Sequence, residues 1–214
     1  METFAGQRLL FLTAEHNRLI LLFSFVFPVE GTAILSAFVQ KLLADLSRSE
    51  GCRLAAGCSP GYREYTSCAA AYREALTVLE IKRLLPYHAR GLLLYESLGF
   101  WAYLPAILEQ KRSGTRRSAL LYPLKEHDRE HKSDFLKTIA VYLTLDCNLK
   151  EAAAFLHIHT NTLMYRLNRI AEMTGRSLKE TDYRTSIYLD ILTEETAPLN
   201  EWFQEEAGNA ASTS

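Results

Sequence analysis

The chain has 214 residues, which is long enough for one large or two small domains that each bury a core. Hydrophobic residues make up 48% and charged residues 23%, the proportions of a globular protein in water. The formal net charge of -1 excludes strong overall attraction to nucleic acid, so any DNA contact must come from a local arrangement of side chains.

The first elements predict a β-hairpin and a helix. Residues 8–12 and 18–26 are apolar runs separated by the polar stretch 13–17, a pattern typical of two strands and a turn. A helix is predicted from Gly31 to about residue 51, because apolar residues recur at every fourth position. These residues are Ile34, Phe38, Leu42 and Leu46.

Two more strands and a second helix complete the predicted first domain, residues 1–98. The short apolar runs 52–58 and 91–95 predict strands, and residues 66–85 predict a helix that ends before Pro86. Helices that alternate with strands favour a sheet with helices packed on it, and strands this apolar favour central positions in that sheet.

The character of the sequence changes after this domain. Residues 111–132 hold seven Lys/Arg against three Asp/Glu, so residues 99–132 are predicted to be a basic connector, part loop and part helix. The pattern is purely helical over residues 133–196. Residues 197–214 become acidic and small, and we expect a disordered tail.

The helical region begins with two capped helices. Ser133 is predicted to cap the first, which carries apolar residues on its inner face. These are Phe135, Leu136, Ile139 and Leu143. Asn148 is predicted to cap the second helix, and Glu151, three residues later, can return the bond as in a capping box.

A third helix follows a tight turn at residues 157–159, with His159 or Thr160 as its cap. At about 100° per residue its apolar residues share a narrow arc that must face the core, and Gly175 follows as a left-handed stop. The inward residues are Leu163, Leu167 and Ile170, and the outward ones are Asn161, Tyr165, Asn168 and Arg169, with Thr162 and Arg166 at the flank.

This pair of helices is what a DNA-reading helix-turn-helix requires, because a buried back fixes the second helix and a polar face is left for the major groove. Its outward face carries hydrogen-bonding side chains and arginines, with Glu172 as its single acid. The alternative is an ordinary three-helix domain. Residues 133–193 hold seven basic and seven acidic residues, so DNA binding would require dimerisation or help from the connector.

The segment LHIHTNTLMYRLNRIAEMTG resembles the C-terminal helix-turn-helix of the PucR/CdaR family of bacterial regulators, and its frame is also similar to the Fis-type helix-turn-helix. The matching positions are His159, Asn161, Thr162, Leu163, Tyr165, Arg166, Leu167, Arg169, Ile170, Thr174 and Gly175. Upstream, YREALTVLEIKRLL and LLLYESLG are similar to the end of the degenerate GGDEF-like domain of that family, and HDREHKSDFLKTI resembles its connector.

The resemblance implies an α+β fold, in which a GGDEF-like (ferredoxin-like or cyclase-like) α/β domain precedes an all-α Fis-like helix-turn-helix domain. It departs from the family pattern at Thr160 and Met164, where arginines that could contact phosphate are often found. Compared with the family, the GGDEF-like region also begins late, without the usual opening strand and helix, so the resemblance leads us to expect either a fragment of a longer regulator or a shortened N-terminus.

The implied function is sequence-specific transcriptional regulation of the purine-catabolism or sugar-diacid type, on operator DNA and as a homodimer. A small-molecule effector would be sensed outside this chain. The expected DNA-contacting residues are His159, Thr160, Asn161, Thr162, Tyr165, Arg166 and Arg169. The alternative is a dimerisation or interaction protein that keeps the helical frame without strong DNA binding.

Two enzyme hypotheses compete with this interpretation. His127, Glu130 and His131 fit the HxxEH pattern of a zinc protease, but no further acidic ligand is recognisable. A nucleotide cyclase would need a glycine pair and acids at the hairpin, where residues 14–17 read AEHN. We therefore expect no enzyme activity, no cofactor and no metal.

Cysteine usage and the N-terminus favour a cytoplasmic protein. Cys52, Cys58, Cys68 and Cys147 form no CxxC pair and are predicted to be free thiols. The longest apolar run, residues 19–27, is about half a membrane span, and no signal peptide is visible, so no membrane contact is expected.

Overall fold

In a computed structural model of the protein, residues 3–4, 7–15, 17–25, 31–50, 54–112 and 118–212 are described. They divide into two compact units, one of Met1–Glu80 and Gly91–Ala102, the other of Ile81–Arg90 and Tyr103–Ser214. The first unit extends to Ala102, whereas the predicted first domain ends at residue 98, and residues 81–90 belong with the second unit. No described helix has the length and apolar character needed to cross a membrane.

The first unit contains a three-stranded antiparallel sheet in the order β1 (Thr3–Phe4), β2 (Gln7–Glu15) and β3 (Arg18–Phe25). The predicted hairpin is confirmed, although β2 runs further than predicted, and the strands pair as far as Glu15 and Arg18. The predicted helix is confirmed as α1 (Gly31–Glu50). The hairpin and α1 are in contact through the rings of Phe23 and Phe38, whose centroids are 5.4 Å apart and edge-on.

The rest of the first unit differs from the predicted central sheet. Among the described residues of runs 52–58 and 91–95, the pairing is a single parallel bridge between Cys58 and Leu94. The Cys58 N–H donates to the Leu93 carbonyl at 2.7 Å and the Tyr95 N–H donates to the Cys58 carbonyl at 2.9 Å. A bridge of one residue pair therefore stands where the sequence predicts two central strands, which usually run for about five or six residues.

The second predicted helix is confirmed as α2 (Cys68–Leu84), and its approach to the Cys58 segment requires a glycine. A Cβ atom at Gly57 would lie 2.3 Å from the Ala75 carbonyl oxygen and 2.9 Å from Val78 Cβ. The backbone at Gly57 therefore touches α2 directly.

The regular elements that the structure describes in the second unit are helices. After a stretch of 3₁₀ turns, Tyr95–Tyr103, it comprises α3 (Leu104–Arg112), α4 (Tyr122–His131), α5 (Phe135–Thr144), α6 (Leu149–Phe155), α7 (Thr160–Thr174), α8 (Thr181–Glu194) and α9 (Thr196–Ser212). The predicted connector thus contributes α3 and α4. Helix α5 is central and packs against α4, α6, α7, α8 and α9. Its Ile139, Ala140 and Val141 are fully buried.

The prediction that residues 197–214 form a disordered tail is wrong. Helix α9 runs from Thr196 to Ser212 and buries Leu199 and Phe203, which lie one turn apart on one face. The Phe203 ring lies 4.3 Å from the ring of Tyr87 and 4.4 Å from that of Phe155. The small and acidic composition concealed this apolar stripe.

Hydrogen bonds and ion pairs connect α3 and α4 to α8 and the residue that follows it. Asp190 is buried and accepts hydrogen bonds from Lys111 at the end of α3 and from the Ser118 hydroxyl before α4. Lys125 of α4 pairs with Glu194 at 2.8 Å and Glu195 at 2.7 Å. Because the Asp190 side chain is largely removed from water, the hydrogen bonds from Lys111 and Ser118 are needed to offset the cost of burying its charge.

A second polar cluster joins the end of α2 to α8 and α5. Tyr188 Oη lies 2.7 Å from His88 Nε2 and 3.5 Å from Thr144 Oγ1. Burial lowers the pKa of His88 to about 4, because the charged imidazolium loses water, and burial raises the pKa of Tyr188 to about 12. His88 is therefore neutral at pH 7.

Candidate nucleic-acid interface

The first helix of the site, α5, begins on a carboxylate from the preceding helix. Asp128 accepts hydrogen bonds from the backbone N–H groups of Phe135 at 2.8 Å and Leu136 at 2.9 Å, and from the Ser133 hydroxyl at 2.7 Å. The prediction that Ser133 caps α5 is wrong, because the N-cap position is Asp134 and the Ser133 hydroxyl donates to Asp128, which accepts from the two N–H groups instead. The negative charge of the carboxylate also interacts favourably with the positive, N-terminal end of the helix dipole.

The second helix, α6, is capped as predicted by Asn148, whose side-chain oxygen accepts from the N–H groups of Lys150 at 3.1 Å and Glu151 at 3.3 Å. Glu151 accepts from the Asn148 side-chain amide at 2.8 Å, whereas a capping box would use the backbone N–H. Ala152 and Ala153 are buried, so α6 can approach its neighbours closely.

The turn into α7 is held by local hydrogen bonds. His157 takes the left-handed conformation (φ 52°), and the Ile158 N–H donates to the Ala153 carbonyl at 3.0 Å. His159 is the N-cap, because its Nδ1 accepts from the Asn161 N–H at 3.2 Å. An accepting Nδ1 leaves the ring proton of a neutral imidazole on Nε2. His159 thus presents a hydrogen-bond donor beside the helix N-terminus.

Helix α7 has the two faces that its sequence predicts. Leu163, Leu167 and Ile170 are buried, and Gly175 ends the helix in the left-handed conformation (φ 65°). The exposed residues are His159, Asn161, Thr162, Met164, Tyr165, Asn168, Arg169 and Glu172. Helices α6 and α7, with α5 packed behind them, therefore form a helix-turn-helix in which the outer face of α7 is open.

The structure brings five of the seven predicted contact residues onto this exposed surface and treats two differently. Thr160 is half-buried at the first position of α7. Arg166 is also half-buried, and its guanidinium donates to the hydroxyl of Thr138 on α5 at 3.2 Å. Arg169 stays exposed and pairs with Glu172 one turn further along α7.

Sequence reasoning missed Thr138. It is fully buried, and its hydroxyl donates to the Asp134 carbonyl at 2.6 Å while accepting from Arg166. The available signal was a polar residue on the inner face of an otherwise apolar helix, since such a group needs partners when it is buried.

The residues of the zinc hypothesis serve as helix contacts. His127 Nδ1 lies 2.9 Å from Ser133 Oγ, and the His127 ring stacks on those of His131 at 4.3 Å and Phe135 at 4.6 Å. Within the part of the chain that the structure describes, no group of three or more His, Cys, Asp or Glu could hold a metal ion. Of the cysteines there, Cys58, Cys68 and Cys147 are thiols that form no disulfide within the described residues.

The fold and the surface of α7 define the class: a helix-turn-helix protein with an accessible recognition helix. Residues 135–193 match the family model of the PucR C-terminal helix-turn-helix domain. Together with the relatives below, this places the chain in the PucR/CdaR family.

Three relatives illustrate the similarity. The DNA-binding transcriptional activator AdeR of Bacillus subtilis (strain 168) is 30% identical over 192 residues, 89% of this chain and 45% of the relative. The proline-responsive transcriptional activator PutR of the same organism is 31% identical over 188 residues, 85% of this chain and 44% of the relative. The carbohydrate diacid regulator of Escherichia coli (strain K12) is 30% identical over 130 residues, 60% of this chain and 32% of the relative.

This chain therefore spans less than half the length of the relatives that it matches. No solved structure matches it.

Proposed function

We propose that this chain is a sequence-specific DNA-binding transcriptional regulator, with α7 as the helix that enters the major groove. The observation that carries the proposal is the outward face of α7, which is exposed and polar while the opposite face is fully buried. The names of the relatives, two activators and one regulator, support it. The purine-catabolism or sugar-diacid type of target remains a prediction.

The proposed contacts follow the position of each residue along α7. Asn161, Thr162 and Tyr165 lie in its first two turns, where recognition helices meet base edges. His159 and Thr160 lie at the helix N-terminus, where free N–H groups and the dipole favour a phosphate. These five residues would read the base pairs and fix the register of the helix.

The two arginines receive different roles. Arg169 is exposed and pairs with the exposed Glu172 on the same surface, so it can turn to a phosphate or a flanking base at small cost. Arg166 contacts Thr138, so we propose that it orients α7 on α5 and meets no phosphate. Arg166 is then a positioning residue.

We propose that the protein binds as a homodimer. Residues 133–193 are electrically neutral, and one copy neutralises few phosphates, so two copies are needed for a stable complex. A two-fold dimer would contact half-sites about one helical turn or a multiple apart. Light scattering that finds a monomer at the concentration at which DNA is bound would refute this.

We also propose that the first unit is a degenerate, non-catalytic GGDEF-like domain. The order of hairpin, α1, bridge and α2 supports it, as does a hairpin turn without a glycine pair. Its role would be to dimerise the protein and so bring two helix-turn-helix domains together. Any small-molecule effector would be sensed outside this chain. Cyclase activity of the purified protein on nucleoside triphosphates would contradict this proposal.

The decisive experiment first selects the fragments of genomic DNA that the protein binds. It then measures the affinity of the protein for a selected fragment at several salt concentrations. Arg169→Ala should weaken binding and flatten the slope of log K against log salt by about 0.9, the share of one phosphate contact. Arg176→Ala is the matched control. Arg176 is as exposed (43% against 46%) and also pairs with an acid, Glu180, but lies beyond the end of α7.

Its result separates the two candidate functions. Binding that is lost equally in both variants would argue against α7 as the recognition helix. If the wild-type protein selects no fragment and shows no salt-dependent binding, the chain is an interaction or dimerisation protein instead.

A further inference from the structure

Met164 is an exposed apolar side chain on α7 that the fold does not use. The core-facing residues of this helix are Leu163, Leu167 and Ile170, all buried, whereas Met164 is 46% exposed. Single exposed apolar residues are common on protein surfaces, so exposure alone carries no conclusion. The neighbours of Met164 decide what this one can do.

Met164 lies between two exposed amides. Asn161 precedes it by three residues and Asn168 follows it by four, the spacings at which helical side chains adjoin. The three side chains therefore form a continuous strip along the open side of α7, which we call the amide–methionine strip. Its composition is amide, thioether, amide, with no charge.

This composition complements one kind of base pair. In the major groove adenine offers an acceptor at N7 and a donor at N6, which an asparagine amide matches with two hydrogen bonds. The thymine of the same pair offers a 5-methyl group, whose partner is an apolar side chain. Methionine is flexible and polarisable, so it can follow a methyl group that projects into the groove.

We infer that Met164 is a specificity-determining residue that contacts thymine methyl groups, and that the amide–methionine strip selects A·T base pairs in each half-site. The inference rests on the proposed function, because the strip meets bases only if α7 enters the groove. It assigns a contact to Met164 and to Asn168.

The test removes single methyl groups from the DNA. In a site selected from genomic DNA, each thymidine is replaced in turn by deoxyuridine, which differs only by the 5-methyl group. Wild-type protein should lose about fourfold in affinity at one thymine or more per half-site, the effect of one buried methyl group. In Met164→Ala the same replacement should change affinity by less than about 1.5-fold, because the contact is already gone.

Two variants separate a base contact from a structural effect. Met164→Leu keeps an apolar side chain, so replacing thymidine by deoxyuridine should still lower its affinity by most of the wild-type factor. Met173→Ala removes a methionine near the other end of α7, and the same replacement should lower its affinity by the full wild-type factor. Both are compared with wild type by circular dichroism to confirm that the helices are intact.

The outcomes are distinct. If the wild-type protein binds its site but no thymine shows a methyl effect that depends on Met164, the inference is overturned and the proposed function stands. If no DNA is bound at all, both fail together.

Discussion

Replacing Arg166 by methionine is expected to destabilise the fold without removing a phosphate contact. The substitution keeps the apolar stem of the side chain and deletes the guanidinium that donates to Thr138. A hydrogen bond from a charged donor contributes about 1.5 to 3 kcal/mol, and the half-buried position of Arg166 favours the lower end. Thr138 still donates to Asp134, so its hydroxyl is not left alone. We expect a loss of about 1.5 kcal/mol.

A double-mutant cycle isolates this contact. Thr138→Val also removes the bond to Asp134, so its own effect exceeds that of the contact with Arg166. The coupling energy from urea unfolding of the two single variants and the double variant should be about 1 kcal/mol, as for residues in direct contact. Far-ultraviolet circular dichroism follows the unfolding of the helices.

The salt dependence of DNA binding provides the refutation. If Arg166 positions α7, Arg166→Met weakens binding but leaves the slope of log K against log salt at the wild-type value. A phosphate contact would instead lower the slope by about 0.9. A coupling energy near zero together with that lower slope would show that Arg166 acts on DNA directly.

Two further predictions concern stability. Gly57→Ala should destabilise the first unit by about 2 kcal/mol or more, because its Cβ would collide with the Ala75 carbonyl. Gly175→Ala has open space and should cost only the left-handed backbone penalty of about 1 kcal/mol; equal losses in thermal unfolding would contradict this. Below pH 6.5 the unfolding free energy of the second unit should fall until about pH 4, since folding lowers the pKa of His88 to about 4 and the unfolded chain then binds more protons. His88→Gln should reduce the change in unfolding free energy between pH 6.5 and pH 4 by up to about 3 kcal/mol. If the variant and the wild-type protein show the same dependence of unfolding free energy on pH, His88 is not its source.

The helix-turn-helix could be predicted because its information is local. Leu163, Leu167 and Ile170 repeat at helical spacing, and the caps at Asn148 and His159 lie within three residues of the groups they bind. Periodicity and capping depend on neighbours in the sequence, so one chain is enough to identify them.

The contacts that join elements could not be predicted in the same way. His88 and Tyr188 are 100 positions apart, and nothing local marks them as partners. Asp128 accepts from the first N–H groups of α5 across a break between helices, and no pattern of neighbouring residues in the sequence indicates this contact.

The first unit shows the same limit for strands. The apolar runs that contain Cys58 and Leu94 have the composition of buried strands, but strand pairing depends on partners distant in sequence. Composition therefore predicted more sheet than forms.

The carboxylate of Asp128 has a practical consequence for anyone who wishes to isolate the DNA reader. A fragment that begins at the family match, residue 135, would start α5 with two N–H groups that have lost their acceptor. An excised reader should start before Tyr122, so that α4 brings Asp128 with it, and should extend past Phe203. Trimmed more tightly, it should melt at a lower temperature.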